Sequence, residues 1–204
     1  RPFGTRTALF AGAGIALQSD VGFGQYHVQS ASAGIVVLAV TRELGPVLAG
    51  LMVAGRVGAA RSAQIGTMRV TDQIDALTTL STNPMKYLVT PCLLAGTIAL
   101  PCLVIVADVL GVLGGFTVSV AKLGFSPSTY ITATLDSLKT IDVVVGLVKA
   151  AVFGFLIALL GCYHGYNSRG GAEGVGSATT AAVVGASILL LLFDYLLTDL
   201  FFSQ

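Results

Sequence analysis

Apolar and polar stretches alternate five times along the chain. The apolar runs cover about 7–18, 33–55, 88–112, 143–163 and 181–202. A transmembrane helix needs about 20 residues at a rise of 1.5 Å each. The last four runs reach that length and the first does not. Because the sequence opens at Arg1 without Met, the first run reads as a span truncated within its helix rather than as a signal peptide. No internal repeat is visible, so the inverted halves of many secondary transporters are not evident.

The polar connections differ in kind. "SDVGFGQYHVQSAS" joins the first two runs, and 116–142 is Ser/Thr-rich with Pro127, which predicts an ordered external loop. The stretch 56–86 holds Val70, Ile74 and Leu77 at i, i+4 and i+7, with Asp72, Gln73 and Asp75 pointing elsewhere. This spacing predicts a short amphipathic helix over about 71–80, capped by Thr71 and ended by Asn83-Pro84. A helix lying on lipid would carry cations on its polar face. Here that face is acidic or uncharged, which suits a protein partner; a solvated connector is the other reading. Arg61, Arg69, Lys86 and Arg169 fall in the second and fourth connections against Lys122 and Lys139 in the third, which places the second and fourth in the cytoplasm.

Composition supports the membrane reading. Hydrophobic residues make up 54% of the 204 and charged ones 10%, and mean hydropathy is +0.87. Soluble domains carry about 25% charged residues; so few charges cannot cover a globule of this size. Trp is absent, leaving Tyr alone to mark the interfaces. A net charge of +1 gives no electrostatic case for nucleic acid. Cys92, Cys102 and Cys162 lie in apolar runs without ligand spacing and read as small buried hydrophobes. His27 and His164 lack nearby ligand partners, so no metal site is expected.

The charges inside the runs are the informative residues. Arg42 and Glu43 fall near the middle of the second run, where a lone charge costs about 2.5–3.5 kcal/mol on insertion scales. Pro46 cannot donate to the carbonyl of Arg42, and Gly45 lets a backbone or ligand come close. Broken backbone at that depth is tolerated against protein or a wet cavity. Two readings fit: a polar point facing an internal cavity, or an Arg–Glu pair that staples helices. Asp108, Lys149, Asp194 and Asp199 are the other charges near spans; Lys149 could pair with Asp108 or Asp194, and a proton relay is the sharper alternative. "RGGAEGVGSATT" fails as a phosphate loop, having no GxxxxGK[ST] and no preceding strand, and reads as a turn into a helix capped by Ser177 or Thr179. No Ser/His/Asp or paired-carboxylate arrangement suggests hydrolysis, so the chain is not expected to be an enzyme.

"TRELGPVLAGLMVAGRVGAARSAQIGTMRVTDQIDAL", "NPMKYLVTP", "LVKAAVFGFLIALLGCYHGY", "GGAEGVGSATTAAVV" and "FDYLLTDLFF" occur in order, and together they resemble the MlaE/YrbE family of ABC-transporter permeases. The resemblance runs from about Ala11 onward and extends to the chloroplast lipid-import permease of plants. It implies an all-α integral membrane protein, a single permease domain over 1–204, with five transmembrane helices (the first truncated) and a short cytoplasmic coupling helix between the second and third. It implies a homodimer that moves phospholipids between membranes through a dimer-interface cavity. A cytoplasmic MlaF-like ABC ATPase would carry ATP and Mg, leaving this chain without a cofactor of its own, and an MlaD-like MCE-domain lipid-binding protein would stand on the far side. The setting would be a bacterial inner membrane, or the chloroplast inner envelope. Positions matching the family's lipid pocket are Ile15, Gly22, Phe23, Tyr26, Arg42 and Glu43; those matching the coupling helix are Thr71, Asp72, Gln73, Asp75 and Leu77. Gln64 stands where the family usually has Glu, and Arg61 where a small or apolar residue is common. The rival readings are a proton-coupled secondary transporter and a non-transporting membrane scaffold for lipid-binding proteins.

Overall fold

The computed structural model describes residues 3–23, 29–122 and 124–202, with backbone alone for 3–5, 20–23, 29–33 and 202. Among the described residues all regular structure is helical: α1 (Phe3–Phe23), α2 (Gln29–Ala39), α3 (Gly45–Val53), α4 (Ala59–Val70), α5 (Gln73–Thr79), α6 (Thr90–Ala121), α7 (Pro127–Ser137), α8 (Thr140–Tyr166) and α9 (Gly171–Phe202). Among them four helical runs are long and apolar enough to cross a membrane: Gly34–Val70, Met85–Ala121, Thr140–Tyr166 and Gly171–Phe201. The protein is an integral membrane protein built from these helices.

Two of the runs contain π-helical turns. The turns are Val40–Leu44, Ala54–Gly58 and Met85–Val89. The first and third end two residues before Pro46 and Pro91. A proline ring collides with the carbonyl four residues back and offers it no N–H. Widening the preceding turn relieves that collision without ending the helix. The N–H of Gly45 accordingly bonds Val40 O, five residues back, and that of Thr90 bonds Met85 O.

Several sequence expectations are corrected here. The second run does not stop near Gly55 but continues as helix to Val70, since the charged residues after Arg56 keep good helical propensity. The connection 116–142 is no loop: α6 extends through it to Ala121 and α7 occupies its centre, with Pro127 at the first helical position, where a missing N–H costs nothing. The last helix starts at Gly171, directly after the left-handed Gly170, rather than near Ser177. Ser177 and Thr179 do not cap it; their hydroxyls donate back to Gly174 O and Val175 O inside the helix. Of the cysteines only Cys162 is buried; Cys92 is half-buried, and Cys102 lies exposed on α6, where a thiol behaves as a small apolar group toward lipid.

The chain forms two compact units. One comprises residues up to Ala49 together with Cys102–Val148. Its core gathers Ala16, Val36 and Val40, with Ile15, Val112 and Val118 against them. Glycine lets the backbones close in: a methyl at Gly12 would strike Gly111 O, and one at Gly34 would meet the Ser137 hydroxyl at 2.5 Å. Around α7, Phe116 and Tyr130 meet edge to face at 5.5 Å. The Tyr130 hydroxyl is buried without a partner, and burial pushes its phenol up to about 12.

The second unit comprises Gly50–Pro101 and residues from Lys149 on. Its core includes Phe153, Ile157, Ala186 and Leu190. The first half of α6 packs antiparallel on α8 through Gly96 and Gly154, so closely that a methyl at Gly96 would lie 2.8 Å from Gly154 O. Leu94, Ile98, Ile188 and Leu191 point outward, apolar and exposed, as a lipid-facing surface requires.

Candidate functional site

Arg42 and Glu43 sit within the π turn Val40–Leu44, and this places them on a backbone already widened by Pro46. The Arg42 guanidinium reaches Asp142 in the first turn of α8: Nε and Nη2 approach Oδ1 at 2.8 and 2.7 Å. Asp142 is wholly buried, whereas about a third of the Arg42 side chain (32%) stays accessible. The other carboxylate oxygen of Asp142 accepts the N–H of Lys139 at 3.3 Å. That bond satisfies one orphan donor at the start of α8 and sets the negative charge at the favourable end of the helix dipole. Sequence reading missed Asp142 because it was assigned to an external loop; an acid three residues into a helix start was the available signal.

The same turn is packed tightly. Gly146 of α8 lies against Thr41 O, where a methyl would come within 2.7 Å. The Thr41 hydroxyl donates to Val37 O at 2.9 Å. Gly45 lies against Asp108, whose Oδ1 is buried with no hydrogen-bond partner, so a side chain at 45 would strike the carboxylate. Glu43 is half-buried beside Arg42.

The remaining expected lipid contacts are placed unevenly. Ile15 is half-buried on α1 against the Ala16, Val36 and Val40 cluster. Gly22 and Phe23 close α1, described by backbone alone, and Tyr26 lies outside the described residues. In the other unit, Lys149 is fully buried and donates to Asp194 Oδ1 at 2.9 Å and to Thr198 Oγ1 at 2.7 Å. This is one of the pairings expected from sequence, with Thr198 as an added partner.

The short helix predicted over 71–80 is observed as α5, Gln73–Thr79. Thr71 does not cap it. Thr71 ends α4, its N–H and hydroxyl both bonding Thr67 O, and Asp72 takes the left-handed position ahead of α5 at φ 57°. Nor does Asn83-Pro84 end the helix; the Asn83 side chain accepts the N–H of Met85 and opens the next turn. Ile74 is fully buried and Leu77 half-buried, while Asp72, Gln73 and Asp75 face outward. Arg69 bonds Asp75 at 2.7 Å and lies over the Tyr166 ring, so part of that acidity is balanced. Arg61 donates to Gln64 at 3.1 Å, so the two residues that depart from the usual pattern bond each other.

Apolar helices long enough to cross a membrane, with ionisable side chains paired at buried positions inside each unit, are features that membrane transport proteins carry. The family model for Permease MlaE matches residues 2–200, and the chain belongs to that family. It is 59% identical over 202 residues to a probable ABC transporter permease protein of Rickettsia bellii, covering 99% of this chain and 78% of the relative. Over 197 residues it is 35% identical to the Arabidopsis thaliana chloroplastic protein named trigalactosyldiacylglycerol 1, covering 97% and 56%. Over 198 residues it is 32% identical to the intermembrane phospholipid transport system permease protein MlaE of Haemophilus influenzae, covering 97% and 76%.

Proposed function

We propose that this chain is the membrane subunit of an ABC-type transporter that moves phospholipid between membranes, in a bacterial inner membrane. The observation carrying this reading is the family match along 2–200, joined to relatives named as an ABC transporter permease and as a phospholipid transport permease. In this reading two copies enclose a cavity at their interface, and α1 supplies the fifth span. Ile15 and Phe23 contribute its apolar wall for acyl chains, with Gly22 and Tyr26 beside them. Arg42, fixed on one side by Asp142 and accessible on the other, meets the lipid phosphate, and Glu43 helps set the charge of the opening.

The drive comes from another polypeptide. A cytoplasmic ATPase, carrying ATP and Mg, docks on the outward face of α5 through Asp72, Gln73 and Asp75, with Thr71 beside it and Leu77 seating the helix. An MCE-domain lipid-binding protein receives or delivers lipid on the far side. This chain binds and gates; the bond-breaking chemistry belongs to the ATPase. The experiment is reconstitution with that ATPase in donor liposomes and measurement of labelled phospholipid transfer. Transfer that stops when the ATPase is omitted and survives an uncoupler supports the proposal. Transfer indifferent to the ATPase and abolished by the uncoupler would instead fit a proton relay through Lys149 and Asp194.

A further inference from the structure

The first half of α6 and the second half of α8 run antiparallel in one tight register. A methyl at Gly154 would come within 3.1 Å of Leu100 Cβ, and one at Gly96 within 2.9 Å of Ala158 Cβ. Each successive step moves four residues back along α6 and four forward along α8, one helical turn. The next step after Gly96 and Ala158 is Cys92 and Cys162. Cys92 packs against the buried cluster that contains Cys162. The step beyond, Leu88 and Tyr166, lies in the same cluster, so the register holds on both sides of the pair. Both cysteines are free.

We propose that Cys92 and Cys162 are a dithiol that a hydroperoxide converts to an intrachain disulfide, joining α6 to α8. A disulfide needs Cβ atoms about 3.5–4.5 Å apart, and helices this close at Gly96 and Gly154 hold facing Cβ atoms near that range. Half-buried Cys92 is the thiol open to attack, while a cleft of about 100 Å³ beside Met85, Leu159 and Tyr166 reaches buried Cys162. The Cys92 thiolate attacks the peroxide; the O–O bond breaks, the sulfur becomes a sulfenic acid, and the alcohol leaves with the proton the thiol released. The Cys162 sulfur then forms the S–S bond and displaces hydroxide, which takes the Cys162 proton and leaves as water. Two thiols and one hydroperoxide give one disulfide, one alcohol and one water. Ile74 of α5 is buried in the same cluster, so the new bond fixes the seat of the short helix.

The test uses the full chain in detergent, treated with tert-butyl hydroperoxide, denatured and titrated for thiols. The count falls from three to one, peptide mapping without reductant finds Cys92 joined to Cys162, and dithiothreitol restores all three. Cys102→Ser, at an exposed position that threatens no packing, goes from two thiols to none and migrates as a single chain. Three thiols surviving the peroxide, oxidation of Cys92 to sulfinic acid without a link to Cys162, or loss of thiols only through joined chains would each overturn the proposal.

Discussion

Arg42 and Asp142 form a buried ion pair whose removal can be worked out from the structure. Their atoms meet at 2.7 and 2.8 Å, one partner wholly buried and the other about a third accessible. Two unit charges about 4 Å apart attract by about 4 kcal/mol at an effective dielectric of 20. Breaking a buried pair by removing one partner typically costs about 3–5 kcal/mol, because the other charge is left without compensation. The access of Arg42 to its surroundings draws the expectation to the lower end, about 3 kcal/mol for Arg42→Met. Replacing both partners by apolar residues strands neither of these two charges and is often neutral. The double variant Arg42→Met, Asp142→Leu is therefore expected within about 1 kcal/mol of the parent, apart from the lost bond to Lys139 N–H. The assay is unfolding in mixed micelles titrated with dodecyl sulfate and followed by circular dichroism, as a double-mutant cycle. Single variants within 0.5 kcal/mol of the parent, or a double variant costing the sum of the singles, would refute this reasoning. The cycle also separates stability from function: the double variant should fold yet transfer little phospholipid, since it has no cation to offer.

Three further outcomes follow from the geometry. Gly96→Val forces side-chain atoms onto Gly154 O and Ala158, and overpacking of this kind costs about 1–3 kcal/mol; the same micelle titration reads it. Gly45→Ala strikes the Asp108 carboxylate and should lower stability by a comparable amount, whereas Gly14→Ala, which meets nothing within 4 Å, should leave it unchanged or slightly raised. Reversing the exposed charges at Asp72, just ahead of α5, and Asp75 within it, with Asp72→Lys and Asp75→Lys, should abolish co-purification of the ATPase while the chain still folds, because the lost Arg69–Asp75 pair is exposed and the buried Ile74 contact is untouched; retention of the ATPase would count against the docking assignment.

Much of the fold was legible because spanning length and apolar composition are strong signals. The runs at 88–112 and 143–163 lie inside observed helices, and the amphipathic spacing of Val70, Ile74 and Leu77 located α5 within two residues. Helix ends were the weak point. Capping by Thr71, Ser177 and Thr179 was inferred from residue type, but these hydroxyls bond carbonyls within helices, a use the sequence does not distinguish. Pro127 and Asn83-Pro84 read as breaks in the sequence, yet each opens a helical segment, since proline is as welcome at a first turn as it is disruptive inside one. At the candidate site, Arg42 was legible from its depth and Pro46 from its missing N–H. Asp142 was legible only as an acid near a helix start, because its pairing with Arg42 across 100 residues leaves no local pattern. The Lys149 and Asp194 pair could be anticipated since both are charges stranded in otherwise apolar runs.

The account rests on phospholipid occupying the space beside Ile15, Arg42 and Glu43 and leaving it under ATP turnover. The direct measurement places a photoreactive benzoylphenylalanine at Ile15 in the reconstituted complex and scores crosslinks to labelled phospholipid. Ile98, exposed on α6, reports surrounding lipid, and Phe153, fully buried, reports background. The account predicts labelling at Ile15 well above Phe153, falling during ATP hydrolysis while labelling at Ile98 stays constant. Labelling at Ile15 no higher than at Phe153, or unmoved by ATP, would contradict it.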